Sequence, residues 1–374
     1  MTDPRNAKEF KYTKLRDRLR KDIVSGRYAT GDRLPSETEL CARYKLSNNT
    51  IREAVLSLVN EGLVSRIRGK GTFVADIRPS RKTLALVIPR MGGNPLDHDY
   101  DVMPTYVAAI ESEAHEMGWD VLLHVYNNDS SLERQRLLSA LERPVDGVIS
   151  FFSCCRENED PLREIHSAGI PVVMVDTYLD DLGIDYVGTD NFLGSFMGTK
   201  RILDAGFERI CYFNSDRGDW NPITPRMQGY IAAMKKFGRH PHVLYPIEDA
   251  RAGTDWEMVG YEMASQMLAY IQHPFAIFAV TPALAVGAWR AISDSNLPLN
   301  EVAIGCFDNP RAVFPQDLLV VNVLQQLEQI GRRAVQIIVE KFNGSEDHCK
   351  EMIEPEVVVL ESCQPKEQEL SSVR

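Results

Sequence analysis

One stretch constrains this chain more than any other: Asp32–Val74, DRLPSETELCARYKLSNNTIREAVLSLVNEGLVSRIRGKGTFV. Pro35 closes a loop and Ser36 is a natural helix N-cap. Glu39 follows three residues later, as a capping box requires. Leu40 and Tyr44, one turn apart, give this first helix a single apolar stripe. Lys45-Leu46-Ser47 is a polar break around one leucine. A second helix then begins at Asn48 or Asn49, with Ile51, Val55, Leu58 and Val59 at helical spacing, and Gly62 stands at its C′ position. Two short helices joined by a turn of three or four residues form a helix-turn-helix, whose second helix enters the major groove of DNA.

The residues that follow narrow the expectation. Leu63–Ile67 reads as a strand, Arg68-Gly69-Lys70-Gly71 as a tight turn, and Thr72–Val74 as the return strand. The hairpin is a wing carrying Arg66, Arg68 and Lys70 near its tip. Upstream, Tyr12–Val24 is expected to be helical, with Tyr12, Leu15, Leu19 and Ile23 on one face, and Met1–Phe10 to be a polar, frayed start.

Charge divides the chain the same way. Residues 1–78 hold 17 basic and 10 acidic side chains, whereas the remainder holds 25 and 43. A cationic head on an acidic body suits a phosphate-gripping module joined to one that is repelled by the duplex. Seven cysteines form neither a CxxC pair nor a Cys/His cluster at zinc spacing, which implies free thiols in a reducing cytoplasm, no metal and no cofactor. No apolar leader or span is visible, so no membrane partner is expected.

Beyond a polar linker at 76–82, strands alternate with helices. Leu84–Ile88 is a continuous apolar run, the pattern of a parallel strand buried on both faces. The alternation to Leu360 predicts doubly wound parallel sheets, and about 280 residues is too long for one compact sheet, so two lobes are expected. Ligands of such sheets sit beyond the carboxyl ends of the strands. The loops there supply Asp176, Arg226, Asp308 and Gln325, suited to pairing with vicinal hydroxyls. Phe151, Phe152, Tyr178 and Trp220 are suited to stacking on a sugar ring.

Tyr12–Val74 resembles the GntR-type winged helix-turn-helix, with LPSETEL, NTIREAV, EGLV and GKGTFV in the family's signature places. The resemblance implies contact with double-stranded DNA through Ser36, Thr38, Ser47, Asn48, Asn49, Thr50, Arg52, Arg66, Arg68, Gly69, Lys70 and Gly71. The family reads bases with three arginines. This chain has Thr38 and Asn48 at two of those places and keeps Arg52, so Asn48 and Asn49 are suited to reading adenine instead.

Residues 83–363 resemble the effector domain of LacI/GalR-type regulators, itself akin to periplasmic sugar-binding proteins. Gly188–Asn191, Gly194…Gly198, Leu203–Gly206, Pro225–Tyr230, Val302–Asp308 and Gln325…Gly331 carry that match. It implies sugar contacts at Arg226 and Asp308, then Asp190 and Gln325, with Thr281-Pro282 where the family has an Asn or Thr followed by Asp. The expected fold is an α+β winged helix-turn-helix head (1–75), then a two-lobed α/β periplasmic-binding-protein-like domain with parallel sheets. Lobe 1 is expected to span about 83–206 plus 326–345 and lobe 2 about 207–324 plus 354–363, with crossings near Gly206–Phe207, Leu324–Gln326 and Ser345–Glu354. Residues 364–374 are expected to be a disordered tail.

These features point to a dimeric sugar-responsive regulator, most simply a repressor. Two other readings stay open here: a body that binds a protein co-regulator, and an enzyme body. The second lacks a GxSxG elbow, a P-loop, an HExxH and a lysine placed after a strand for a Schiff base.

Overall fold

The computed structural model describes residues 4–24, 27–29, 31–61, 63–67, 69–74, 82–89, 102–142, 145–151, 158–179, 183–215, 223–247, 254–309, 314–315 and 317–360. The chain forms two compact units, Met1–Arg81 and Lys82–Arg374.

The first unit contains α1 (Pro4–Val24), α2 (Glu37–Tyr44), α3 (Asn48–Asn60), β1 (Val64–Ile67) and β2 (Gly71–Val74). Helix α1 starts at Pro4, not at Tyr12. Proline is tolerated at the first helical position because the N–H it lacks would have no partner there. Leu15, Leu19 and Ile23 of α1 pack with Ile51, Ala54, Val55 and Leu58 of α3, and Leu34, Leu40, Val64 and Val74 complete the core. Each Leu, Ile or Val side chain moved from water into this core contributes about 1.5–3 kcal/mol. β1 and β2 pair antiparallel from Val64↔Val74 to Ile67↔Gly71. Gly62, expected to close α3, and linker residues 75–81 lie outside the described residues.

The second unit begins at β3 (Lys82–Ile88), which takes in Lys82 from the expected linker. Next come α4 (Met103–Glu116), β4 (Trp119–Val125), α5 (Ser130–Glu142), β5 (Gly147–Ser150), α6 (Glu159–Ser167), β6 (Val172–Val175) and β7 (Asp185–Thr189). Then follow α7 (Asn191–Asp204), β8 (Ile210–Phe213), α8 (Ile223–Lys236), β9 (His242–Leu244), α9 (Trp256–Leu268), β10 (Phe275–Ala279), α10 (Pro282–Asp294), β11 (Val302–Phe307) and β12 (Leu319–Leu324). The chain ends with α11 (Leu327–Phe342), β13 (Lys350–Ile353) and β14 (Glu356–Leu360). Two sheets form, in the orders β13-β7-β6-β5-β3-β4 and β14-β12-β11-β10-β8-β9. They are the two lobes, and they repeat one plan: β3, β4, β5, β6, β7 and β13 occupy the places that β8, β9, β10, β11, β12 and β14 occupy in the other sheet.

The first crossing differs from expectation. Helix α7 packs on α8, β11 and β12, and Ile202 belongs to the lobe 2 core, so the chain changes lobes at Thr189–Asn191 rather than at Gly206–Phe207. The helix is pressed onto that sheet at two glycines. A Cβ on Gly194 would lie 2.9 Å from Val323 Cγ1, and one on Gly198 would lie 2.7 Å from Val323 Cγ2. The chain makes its second crossing between β12 and α11. The third follows β13, a strand pairing parallel with β7 where the sequence suggested only a connection. β12 was also unforeseen.

Lobe 1 is wholly parallel, while in lobe 2 β14 pairs antiparallel with β12. The reason is the two-residue link Glu354-Pro355. β13 runs to the cleft edge of lobe 1, so β14 enters lobe 2 at its own cleft edge and runs outward, against its neighbours.

Candidate nucleic-acid interface and interlobe cleft

In the head, local chemistry builds the recognition surface. Ser36 caps α2: its Oγ accepts from Glu39 N at 3.2 Å, and Glu39 Oε2 accepts from Ser36 N at 2.7 Å. Burden of the cap leaves the Ser36 hydroxyl committed within the protein. Lys45 at φ 52° ends α2 in the left-handed region. Ser47 then caps α3, accepting from Thr50 N at 3.3 Å, with the Thr50 hydroxyl 2.8 Å from its Oγ. Thr50 is buried, so it positions the helix start, whereas Thr38, Ser47, Asn48, Asn49 and Arg52 are exposed. The first turn of α3 holds no acidic side chain, and its N–H groups carry the positive end of the helix dipole, which favours phosphate.

The wing turn has Gly69 at φ 77° and Gly71 at φ 125°, and a Cβ on Gly71 would meet Arg33 Nε at 2.7 Å. Arg33 pairs with Phe73 as an isolated antiparallel bridge and adds a cation beside the exposed Lys70 and Arg66. Arg68 lies outside the described residues. Glu37 stands among these cations. Glu37 Oε1 is 2.5 Å from Arg66 Nη2, and its Oε2 is 3.7 Å from Arg52 Nε, so it ties the recognition helix to the wing. Neither Arg33 nor Glu37 was singled out from sequence. Glu37 and Arg66 stand 29 positions apart, so no local signal announces the contact.

In the body, the repeat sets the cleft. Tyr106 is the fourth residue of α4 and Arg226 the fourth of α8, on equivalent helices. Asp176 directly follows β6 at φ 68°, and Asp308 directly follows β11 at φ 59°, on equivalent strands. Non-glycine residues seldom adopt this backbone, and such outliers concentrate at functional sites.

Arg226 is buried and aimed by three contacts. Its Nε donates to Asn191 Oδ1 at 2.7 Å, its Nη1 donates to Val280 O at 3.0 Å, and its guanidinium lies 3.9 Å from the Phe307 ring centroid. No carboxylate lies within salt-bridge distance of it among the described residues. Asp308 accepts from Gln325 Nε2 at 3.1 and 3.0 Å, and Gln325 Oε1 accepts from Thr189 Oγ1 at 2.7 Å. Thr189 and Gln325 stand at the first and second crossings, so this chain of bonds spans both.

Burial pushes the Asp176 and Asp308 carboxyls above their ordinary range, and in each case the Arg226 cation pulls back. Burial also holds the Tyr106 phenol well up, with Asp176, Asp308 and Tyr186 adding to the effect. The Tyr106 and Tyr186 hydroxyls are buried with no hydrogen-bond partner among the described residues. Tyr106 is wedged edge-on against Phe151, centroids 4.9 Å apart, and Phe151 O accepts from Tyr126 Oη at 2.9 Å.

The remaining expected residues divide. Thr281 starts α10 without capping it, its hydroxyl buried and unpaired among the described residues. Asp190 caps α7, accepting from Leu193 N at 2.8 Å, so its carboxylate serves the helix. Tyr178 packs at 4.7 Å against Tyr186, with Lys350 Nζ 3.9 Å over its ring. Trp220 and Phe152 lie outside the described residues. Tyr106 and Tyr186 went unremarked in the sequence; superposing Met103–Tyr106 on Ile223–Arg226 as repeat partners would have exposed the first. No group of His, Cys, Asp and Glu suited to a metal occurs among the described residues, nor any helix long and apolar enough to cross a membrane.

Comparison with known proteins agrees with both halves. The family model described as bacterial regulatory proteins, gntR family, matches residues 11–74. The one described as periplasmic binding proteins and sugar binding domain of LacI family matches residues 96–361. The chain is 30% identical over 243 residues to the arabinose metabolism transcriptional repressor of Halalkalibacterium halodurans, covering 62% of each protein. It is 24% identical over 365 residues to the protein of the same description from Geobacillus stearothermophilus, covering 94% of this chain and 97% of that one. A LacI-type regulator from Alkaliphilus metalliredigens, solved with D-xylulofuranose, shares the fold at TM-score 0.59 and 20% identity, over 75% of this chain and 98% of that one.

Proposed function

The chain belongs to the family of periplasmic binding proteins and LacI-type sugar-binding domains, behind a head of the gntR family, and we propose that it is a sugar-responsive transcriptional repressor. The relatives described as arabinose repressors support the repressor reading, and the sugar bound to the Alkaliphilus neighbour supports a carbohydrate effector. The head reads an operator through Thr38, Asn48, Asn49 and Arg52, with Arg66 and Lys70 on phosphates. The protein acts in the cytoplasm as a homodimer whose two heads occupy half-sites.

The observation that carries the proposal is the Thr189–Gln325–Asp308 chain of bonds beside Arg226. A ligand held by Arg226 and Asp308 of lobe 2 and by Asp176 of lobe 1 touches the joint about which the lobes turn. Gln325 and Asp190 position that joint, and Thr281 offers its hydroxyl to the ligand. Such a ligand shifts the lobe equilibrium only by the difference in its affinity for the two arrangements. Linker residues 75–81 are the covalent route by which that shift reaches the head. The test is fluorescence anisotropy of the full chain on DNA fragments selected with it, titrated with a panel of pentoses, hexoses and disaccharides. One sugar should change operator affinity saturably. A panel without effect on a protein that binds its fragments would overturn the effector assignment.

A further inference from the structure

The charges that line the cleft say which carbohydrates it accepts, and this step rests on the carbohydrate reading above. The repeat places like groups at like positions in the two lobes with one difference: lobe 2 presents a cation, Arg226, where lobe 1 presents a neutral phenol, Tyr106. Each lobe adds one carboxylate, Asp176 or Asp308, so the described groups sum to one positive charge against two negative.

The one cation is shared between the two carboxylates. Two of its nitrogens are spent on Asn191 and Val280, and its face rests on Phe307. Asp176 feels both Arg226 and Asp308, and two buried phenols, Tyr106 and Tyr186, lack partners among the described residues. Buried polar groups in that condition call for a ligand rich in hydroxyls, which donate to carboxylates and accept from phenols.

We propose that the cleft takes an uncharged, unphosphorylated sugar, with Tyr106 and Asp176 as its lobe 1 contacts opposite Arg226 and Asp308, and that it rejects sugar phosphates and sugar acids. With one cation for two carboxylates, an anionic substituent about 6 Å from the carboxylate left over, at an effective dielectric of about 20, loses affinity by about a hundredfold. A Tyr106 hydroxyl that finds its partner only in the ligand is worth roughly fivefold to tenfold in affinity.

Isothermal calorimetry on the full chain tests this with free pentoses, hexoses and disaccharides, each matched with its phosphate ester and its aldonate. A free sugar should give saturable heat and its two anionic partners should bind about a hundredfold more weakly. An ester or aldonate that binds as tightly as the free sugar overturns the charge argument and leaves the carbohydrate reading standing. Heat from no member of any set overturns that reading, and this inference with it. Tyr106→Phe separates a ligand contact from a packing role. It should weaken the sugar that binds while the ligand-free melting temperature holds or rises, because the lost hydroxyl had no partner there. Unchanged affinity in that variant overturns the lobe 1 assignment.

Discussion

Glu37→Gln removes one negative charge from between two arginines of the proposed DNA-reading surface. Arg52 and Arg66 are 56% and 45% exposed and Glu37 is 20% exposed, so both pairs are partly solvated and hold little folding energy. Two such pairs sum to at most about 1–2 kcal/mol. The larger effect falls on DNA. Each cation released to a phosphate adds about 0.9 to the slope of log affinity against log salt, so two add up to about 1.8. Over a fourfold change from about 0.2 M to about 0.05 M salt, that slope is worth roughly tenfold in affinity. Fluorescence anisotropy on a mixed-sequence duplex across this range should show tighter and steeper binding for the variant. On a selected operator the gain should be smaller, because Glu37 also holds both arginines in place for base and backbone contacts. The ratio of specific to non-specific affinity should therefore fall. A variant whose salt slope equals the parent's would refute the idea that Glu37 restrains these cations, and a shallower slope would reverse it.

Three further expectations concern single residues. Arg52→Ala should weaken operator binding by about 1–3 kcal/mol with ligand heats unchanged, checked by anisotropy and calorimetry on the same preparation. Arg226→Ala should abolish the response to sugar and leave DNA binding of the ligand-free protein intact; a variant that still responds fully counts against the cleft. Asp176→Asn should melt higher than the parent near neutral pH. Its carboxyl is pushed up by burial, so the stability tied to the neutral form is complete below the ordinary carboxylate range and is lost as pH rises through the raised value. The advantage of the amide should shrink as pH falls to about 4, and a lower melting point at neutral pH would show that the charged form is favoured in the fold.

Much of the head was legible before folding because its determinants are neighbours in sequence. Ser36 and Glu39 are three residues apart, Ser47 and Thr50 likewise, and the glycines of the wing stand beside the strands they join. The body was legible as a rhythm. Buried runs such as Phe275–Ala279 and Val302–Phe307 announce strands wherever they fall, but not which sheet receives them or in what direction. β13, short and charged in Lys350-Glu351, gave no such announcement and exists because β7 offers it an edge.

What the residues determine alone, then, is what short range decides: caps, turns, helical faces, the cationic head and the acidic body. Tertiary structure decided the rest. It set α7 on lobe 2, brought Glu37 between two arginines, and joined Thr189 to Gln325 across 136 residues. It also left the Tyr106 and Tyr186 hydroxyls without hydrogen-bond partners among the described residues. The physical reason is that pairing across lobes depends on where whole sheets come to rest, and burial, which shifts Asp176 and Asp308, is a property of that packing and of no residue by itself.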